Sequence, residues 1–250
     1  MNELTKNINL NEIVLTNDLI DKVATKEAMQ WVKDYMYPFK SLMVYYKCAM
    51  MEIETKFRVM NEELSLLYSR NPIQSVKTRL KSFDSIFEKL NRKGLPKTIE
   101  SVEENLHDVA GVRVICSFPE DVYMLADAFL KQDDITLVER KDYIANPKPN
   151  GYRSLHLIVE VPIFLSNKKK MMKVEIQIRT IAMDFWASLE HQLKYKKQLE
   201  GAEAITDELF RCAEISAKLD MKMDDIRKTL EKIDDIQPLH PKVNQLSQGA

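Results

Sequence analysis

The sequence predicts an α+β protein, with a mixed β-sheet core and flanking helices. Three observations carry this. The two ends of the chain space their apolar residues at a helical period, whereas the middle alternates apolar and polar residues at period two. The alternating segments are separated by one amphipathic helix, one long loop and one short turn, which is the pattern of a mixed sheet. The 250 residues are 45% hydrophobic and 30% charged, enough to bury a core and too apolar for a disordered chain.

Residues 1–17 are polar and unpatterned and read as a disordered tail. Residues 18–70 read as N-terminal helices, with Pro38 expected to divide them because proline brings no N–H to the helix ladder. Asn71-Pro72 is a turn signal, and Pro72 suits the first turn of a helix expected to run to Lys93. Gly94 and Pro96 would end that helix. Along it Val76, Leu80, Phe83, Ile86, Phe87 and Leu90 make an apolar stripe, and Arg79, Ser82, Ser85, Lys89 and Arg92 a second one. Ser101 and Glu104 have capping-box spacing and place a short helix before His107.

The period then changes. GVRVICSF (111–118) alternates and reads as a strand, PEDVYMLADAFLKQ (119–132) as a helix with proline at its start, and ITLVERK (135–141) as a second strand. DYIANPKPNGY (142–152) is a loop. RSLHLIVEVPI (153–163) and MMKVEIQIR (171–179) are the third and fourth strands, joined by a turn at SNKKK (166–170), whose lysines read as a solvated tip. Helices are expected at about 180–199 and 204–235. The segment 201–236 has more apolar positions than a small sheet needs and suggests an oligomer interface. Residues 237–250 read as a flexible tail.

Composition narrows the function. Lysine plus arginine is 37 and aspartate plus glutamate is 38, a net charge of −1, whereas a protein that coats a nucleic-acid backbone usually carries a basic excess. Only five glycines are present, and neither of the usual glycine-rich phosphate cradles can be built from them. Any bound phosphates must be held by side-chain cations. The three cysteines form no C-x-x-C pair. The N-terminus resembles no secretory signal, and no stretch approaches the roughly 20 apolar residues of a membrane span. These features point to a reduced, cytoplasmic protein.

The candidate chemistry lies on two surfaces. On the fourth strand Lys173, Glu175, Gln177 and Arg179 face away from the apolar side. On the third, Ser154, His156 and Glu160 do the same. If these strands are neighbours, Glu175, Gln177, His156 and Ser154 share one surface, which could equally be a wet sheet face. Between Lys77 and Lys97 seven cations (Lys77, Arg79, Lys81, Lys89, Arg92, Lys93, Lys97) stand against two acids, Asp84 and Glu88. Like charges along one element repel unless something anionic lies opposite, and a polyphosphate suits forked guanidinium and ammonium groups. A plain basic surface is the alternative. Asp108, just before a strand, is a candidate ligand for magnesium–phosphate chemistry or a turn residue. Lys148, Tyr152, Arg153 and His156 lie on or beside the long loop, where Tyr152 is placed to stack on a base or to cap the core.

The helix pattern at 79–93, HDVAGVRV (107–114), KPNGYRSLH (148–156), VEIQIRT (174–180) and AMDFWASLEH (182–191) together resemble the synthetase domain of the RelA/SpoT family. More narrowly they resemble the small alarmone synthetases of Gram-positive bacteria. The resemblance spans about residues 40–235, makes 71–200 the synthetase domain with a nucleotidyltransferase-like fold, and implies synthesis without hydrolysis. It implies an ATP-dependent GTP or GDP 3′-pyrophosphokinase, with Mg²⁺ as cofactor. Arg79 and Arg113 would sandwich adenine, and Ser85, Lys89 and Arg92 would hold the triphosphate. Asp108 and Glu175 would be catalytic and bind magnesium, Glu175 also meeting the acceptor 3′-hydroxyl. Tyr152 would stack on guanine, Lys141, Lys148 and His156 would face the acceptor phosphates, and Gln177 and Glu190 would lie near the acceptor nucleoside. Asp184 stands where some relatives carry asparagine, a departure that bears on any base-edge contact there. A homotetramer is implied as well. Two other readings compete: a nucleotidyltransferase-like enzyme releasing pyrophosphate, and a non-enzymatic RNA-binding module, with RNA also conceivable as a secondary ligand of the enzyme.

Overall fold

A computed structural model describes residues 37–67, 70–194 and 202–236. The expected tails at 1–17 and 237–250, and the N-terminal helical pattern before Tyr37, lie outside the described residues. The chain runs α1 (Tyr37–Leu67), β1 (Ile73–Leu80), α2 (Phe83–Arg92), α3 (Ile99–Asn105), β2 (Ala110–Cys116), α4 (Pro119–Leu130), β3 (Thr136–Asp142), β4 (Leu155–Phe164), β5 (Lys169–Thr180), α5 (Ile181–Lys194) and α6 (Ala202–Ile236). The strands form one mixed sheet in the order β1-β2-β5-β4-β3. Only β2 and β5 are parallel; the other pairs are antiparallel.

Residues 72–93 are not one helix. Ile73–Leu80 is a strand whose Val76, Thr78 and Leu80 pair with Val114, Val112 and Ala110 of β2. The β-branched residues Ile73, Val76 and Thr78 favour that pleated edge. The helix begins only at Phe83, after Ser82 caps it by accepting from the Ser85 amide at 3.3 Å. It stops as expected before Gly94, which takes a φ of 66°. The apolar spacing 76–80–83–87–90 fits a helix, yet its first two members belong to a strand. Pro38 stands in the first turn of α1, where a missing N–H is tolerated; the helix expected before it lies outside the described residues. The cap of α3 is Thr98, which accepts from the Ser101 amide; Ser101 lies inside the helix. The lysines of the 166–170 turn are not simply solvated: Lys168 and Lys170 lie over the Tyr45 ring at 5.2 and 5.1 Å.

The core lies on the face of the sheet formed by Val112, Val114, Leu155, Leu157, Val159, Val174, Ile176 and Ile178. α1 brings Leu42, Tyr46, Ile53 and Phe57 to it, and α4 brings Val122, Leu125 and Phe129. The Phe57 and Phe129 rings stack with centroids 4.7 Å apart, a geometry that adds about 1 kcal/mol beyond burial. α6 docks by charge. Arg70 and Arg227 each lie over the Phe118 ring at 5.1 Å, Arg70 makes two 2.8 Å bonds to Asp121, and Arg227 binds Asp224, Glu231 and Glu120. Elsewhere α6 leaves Ile215, Leu219, Met223, Ile226, Leu230 and Ile233 exposed at spacings of three or four residues. Among the described residues no helix is long and apolar enough to cross a membrane.

Candidate active site

The face of the sheet opposite the core is polar because of register. Lys77 lies beside Arg113, Arg113 beside Gln177, Gln177 beside His156 and His156 beside Lys141. One row of cationic and polar residues therefore crosses all five strands. The neighbouring row holds Arg79, Gly111 and Glu175. The expected adjacency of Glu175, Gln177 and His156 follows from the β4–β5 pairing.

A cleft of about 480 Å³ opens on this face, lined by Lys77, Arg79, Lys81, Asp108, Arg113, Glu175 and Gln177 among others. Asp108 stands at its edge, in the turn between α3 and β2. Lys89 of α2 donates to its Oδ2 at 2.6 Å and Lys81 at 2.7 Å. Burial alone would push the Asp108 carboxyl up, but the two ammonium groups bonded to it outweigh this and hold it below the ordinary range. Its Oδ1 is buried and has no hydrogen-bond partner.

Glu175 belongs to a closed ring of side chains. Its Oε1 lies 3.3 Å from His156 Nδ1, and its Oε2 accepts from Gln177 Nε2 at 2.9 Å. Gln177 Oε1 accepts from Arg179 Nη2 at 2.7 Å. Arg179 Nη2 also donates to Tyr152 Oη, which lies 2.8 Å from His156 Nε2. The Glu175 carboxylate can only accept, so His156 Nδ1 carries the proton that faces it; in the neutral ring Nε2 then accepts from the Tyr152 hydroxyl. Burial pushes the Glu175 carboxyl up, and the His156 and Gln177 bonds more than offset it, so Glu175 sits below the ordinary range. Burial raises the Tyr152 phenol against the opposing pull of Arg179.

The other expected residues are distributed around this centre. Arg113 of β2 donates to Asp184 at 3.2 Å, and Arg79 is an exposed cation of β1 at the cleft. Ser85 bonds Ser82 in the first turn of α2; Arg92 is exposed in its last turn. Neither lines the cleft. Lys148 lies over the Tyr143 and Tyr152 rings at 4.5 and 4.9 Å. Lys141 is in register with His156 but turns to Glu139 at 2.9 Å. Glu190 of α5 accepts from Asn150 at 2.9 Å, bracing the loop rather than facing the cleft.

Three residues at the centre were not singled out by sequence reasoning, Lys77, Lys81 and Arg179, and Asp184 was noted only as a departure from some relatives. Lys77 and Lys81 were counted as cations of a helix that is a strand followed by a turn. Arg179 was assigned only to the polar side of β5, yet it is buried and bonds Ser154, Gln177, Tyr152 and Asp184. A buried arginine must be paired, and its place one position before the α5 cap was the available signal.

Among the described residues no cluster of three or more His, Cys, Asp or Glu could hold a metal ion. Magnesium needs less: one or two carboxylates, its other positions going to water and phosphate oxygens. The free Oδ1 of Asp108, with Glu175 near enough for the Asp108 charge to raise its carboxyl, fits such an ion.

Residues 78–200 match the family described as the region found in RelA / SpoT proteins. The GTP pyrophosphokinase YwaC of Bacillus subtilis is 47% identical over 203 residues, covering 81% of this chain and 97% of that protein. The crystal structure of small alarmone synthetase 2 from Bacillus subtilis superposes with a TM-score of 0.69 at 48% identity, covering 76% of this chain and 98% of that one. Small alarmone synthetase 1 from the same organism, bound to its product pppGpp, superposes with a TM-score of 0.70 at 35% identity, covering 77% and 97%. With sequence and fold shared over nearly the whole length of these relatives, the chain belongs to the RelA/SpoT family, among its small alarmone synthetases.

Proposed function

We propose that this protein transfers the β,γ-pyrophosphate of ATP to the ribose 3′-oxygen of GTP or GDP, making pppGpp or ppGpp. The observation that carries the reading is the cleft itself, where Asp108 and Glu175 stand among the cations of β1 and β2 with Lys89 of α2 reaching in. A relative named for this activity and a solved relative holding pppGpp support it.

In this reading Arg79 and Arg113 flank adenine, while Ser85, Lys89 and Arg92 grip the triphosphate, with Ser85 and Arg92 reached by the donor's outer phosphates. Tyr152 offers its ring to guanine, and Lys141, Lys148 and His156 meet the acceptor phosphates. Gln177 orients the acceptor nucleoside, and Glu190 acts on it through Asn150 and the loop. Glu175 is ionised at neutral pH and accepts the proton of the 3′-hydroxyl as the new O–P bond forms. Attack is in line at the β-phosphorus, the bond from that phosphorus to the α-phosphate oxygen breaks, and AMP leaves. A carboxylate held this low cannot strip the hydroxyl beforehand; it orients the hydroxyl and takes the proton late. Such transfer depends on positioning and charge neutralisation more than on covalent help. Magnesium, held by Asp108 and Glu175, would supply positive charge to the donor's phosphate oxygens.

The exposed apolar stripe of α6 supports self-association, read here as a homotetramer, and a cytoplasmic location accords with the nucleotide substrates. RNA is at most a secondary ligand of the cations around Arg92. The test is incubation with ATP, Mg²⁺ and GDP or GTP, with products separated by chromatography. AMP and a guanosine 3′-pyrophosphate are expected; pyrophosphate released in place of AMP would make the enzyme a nucleotidyltransferase.

A further inference from the structure

We propose that Asp184 is a positioning residue that couples the two nucleotide subsites, acting on the donor side through Arg113 and on the acceptor side through Arg179. The inference rests on the two-nucleotide reading above. Asp184 lies in the first turn of α5, whose N-terminal Met183 amide is capped by Thr180 Oγ1 at 3.2 Å. A negative charge is favoured at that end of a helix, so the carboxylate is held by its own element. Its Oδ1 accepts from Arg113 Nη1 at 3.2 Å and from Arg179 Nη1 at 3.3 Å, and its Oδ2 lies 3.7 Å from Lys77 Nζ.

These three cations serve different walls. Lys77 and Arg113 line the cleft from β1 and β2 beside Arg79. Arg179 faces the acceptor side, giving Nη2 to both Tyr152 Oη and Gln177 Oε1 and Nε to Ser154 Oγ. A guanidinium is rigid and planar, so a shift of Nη1 turns Nη2 with it. The Arg113 and Arg179 charges repel each other, and Asp184 is the anion between them. A nucleotide that settles Arg113 therefore settles Asp184, and through it Arg179, Tyr152 and the Gln177–Glu175 contact. Such a linkage is reciprocal by thermodynamic necessity.

The test is equilibrium binding of a non-hydrolysable ATP analogue, with Mg²⁺, in the absence and presence of saturating GDP. In the native chain GDP is expected to tighten analogue binding by about fivefold or more. Asp184→Asn keeps the shape and one acceptor oxygen but removes the charge, and should bring that ratio below about twofold. Arg179→Lys keeps the charge but loses the planar fork, and should have the same effect. It also serves should Asp184→Asn not fold. An undiminished ratio in the folded variants, or a native chain that binds both nucleotides without coupling, overturns the proposal. Failure of the native chain to bind the two nucleotides, or to make AMP from them, would instead overturn the underlying functional reading.

Discussion

Lys89 reaches 2.6 Å from α2 to one oxygen of Asp108, sharing it with Lys81 and leaving the other oxygen buried and without a partner. The carboxylate is thus neutralised on the side of the cationic wall and available on the other. An anion with a spent side and a free side is well arranged to bridge protein lysines to a divalent ion.

This makes magnesium dependence a first prediction. Asp108→Asn should raise the Mg²⁺ needed for half-maximal turnover at least tenfold and lower kcat by about 10²–10³. Chelation with EDTA should abolish turnover while moving the Tm little, because the core on the far side of the sheet does not involve Asp108. A magnesium titration and a melt in EDTA check both.

Glu175→Gln should lower kcat by about 10³ with the fold intact. Glu175 accepts from Gln177 with one oxygen and faces His156 Nδ1 with the other; the amide has one oxygen in place of two, so it can keep only one of these contacts unchanged. A modest fall in Tm should accompany the loss of turnover, and circular dichroism should be unchanged.

Four of the five strands and the polar face of β4 and β5 were legible because alternation at period two marks the pleat directly; strand order and register were not, because they depend on which strands pair. β1 was not. Its apolar positions Val76 and Leu80 continue at helical spacing into Phe83, Phe87 and Leu90, and two elements shared one period. The distinguishing signal was Ser82, a cap with its acceptor three residues before Ser85. Glu175 and Asp108 could be picked out as acids beside cations. The pairing of Asp184 with Arg179 and Arg113 could not, because it comes from the meeting of β5, β2 and the first turn of α5, which no local pattern encodes.

Gly151 tests how the acceptor loop is held. It has a φ of +85°, and an added Cβ would lie 2.5 Å from Ala213 Cβ of α6. Arg153, two residues on, binds Glu214 of the same helix at 2.8 Å. Gly151→Ala should cost about 2 kcal/mol from backbone strain and overlap together and raise the KM for the guanine nucleotide more than that for ATP. Adding Ala213→Gly should recover only part of the stability, since the strain of the positive φ remains. Thermal melts and steady-state kinetics of the single and double variants decide this.

Asp220 gives a pH prediction. It is buried, accepts from Thr180 Oγ1 at 2.6 Å and lies near Asp224; burial pushes its carboxyl up, with Asp224 adding to the effect and Thr180 opposing it. An acid whose pKa is raised on folding opposes folding where it is ionised, and that cost vanishes as pH falls below its unfolded value. Asp220→Asn should therefore raise the Tm by a few degrees at pH 7, about 1 kcal/mol, and the advantage should shrink towards pH 4. A constant advantage across that range would rule out the charge as its origin.

The row from Lys77 through Arg113, Gln177 and His156 to Lys141 also limits how such a protein can diverge. Strand side chains alternate sides, so inserting or deleting one residue within any of the five strands would carry that strand's contribution into the oily layer beneath α1. Length variation between relatives should therefore collect in the connections, such as the bend after Phe164, while the pleated segments keep a fixed count even where their letters differ.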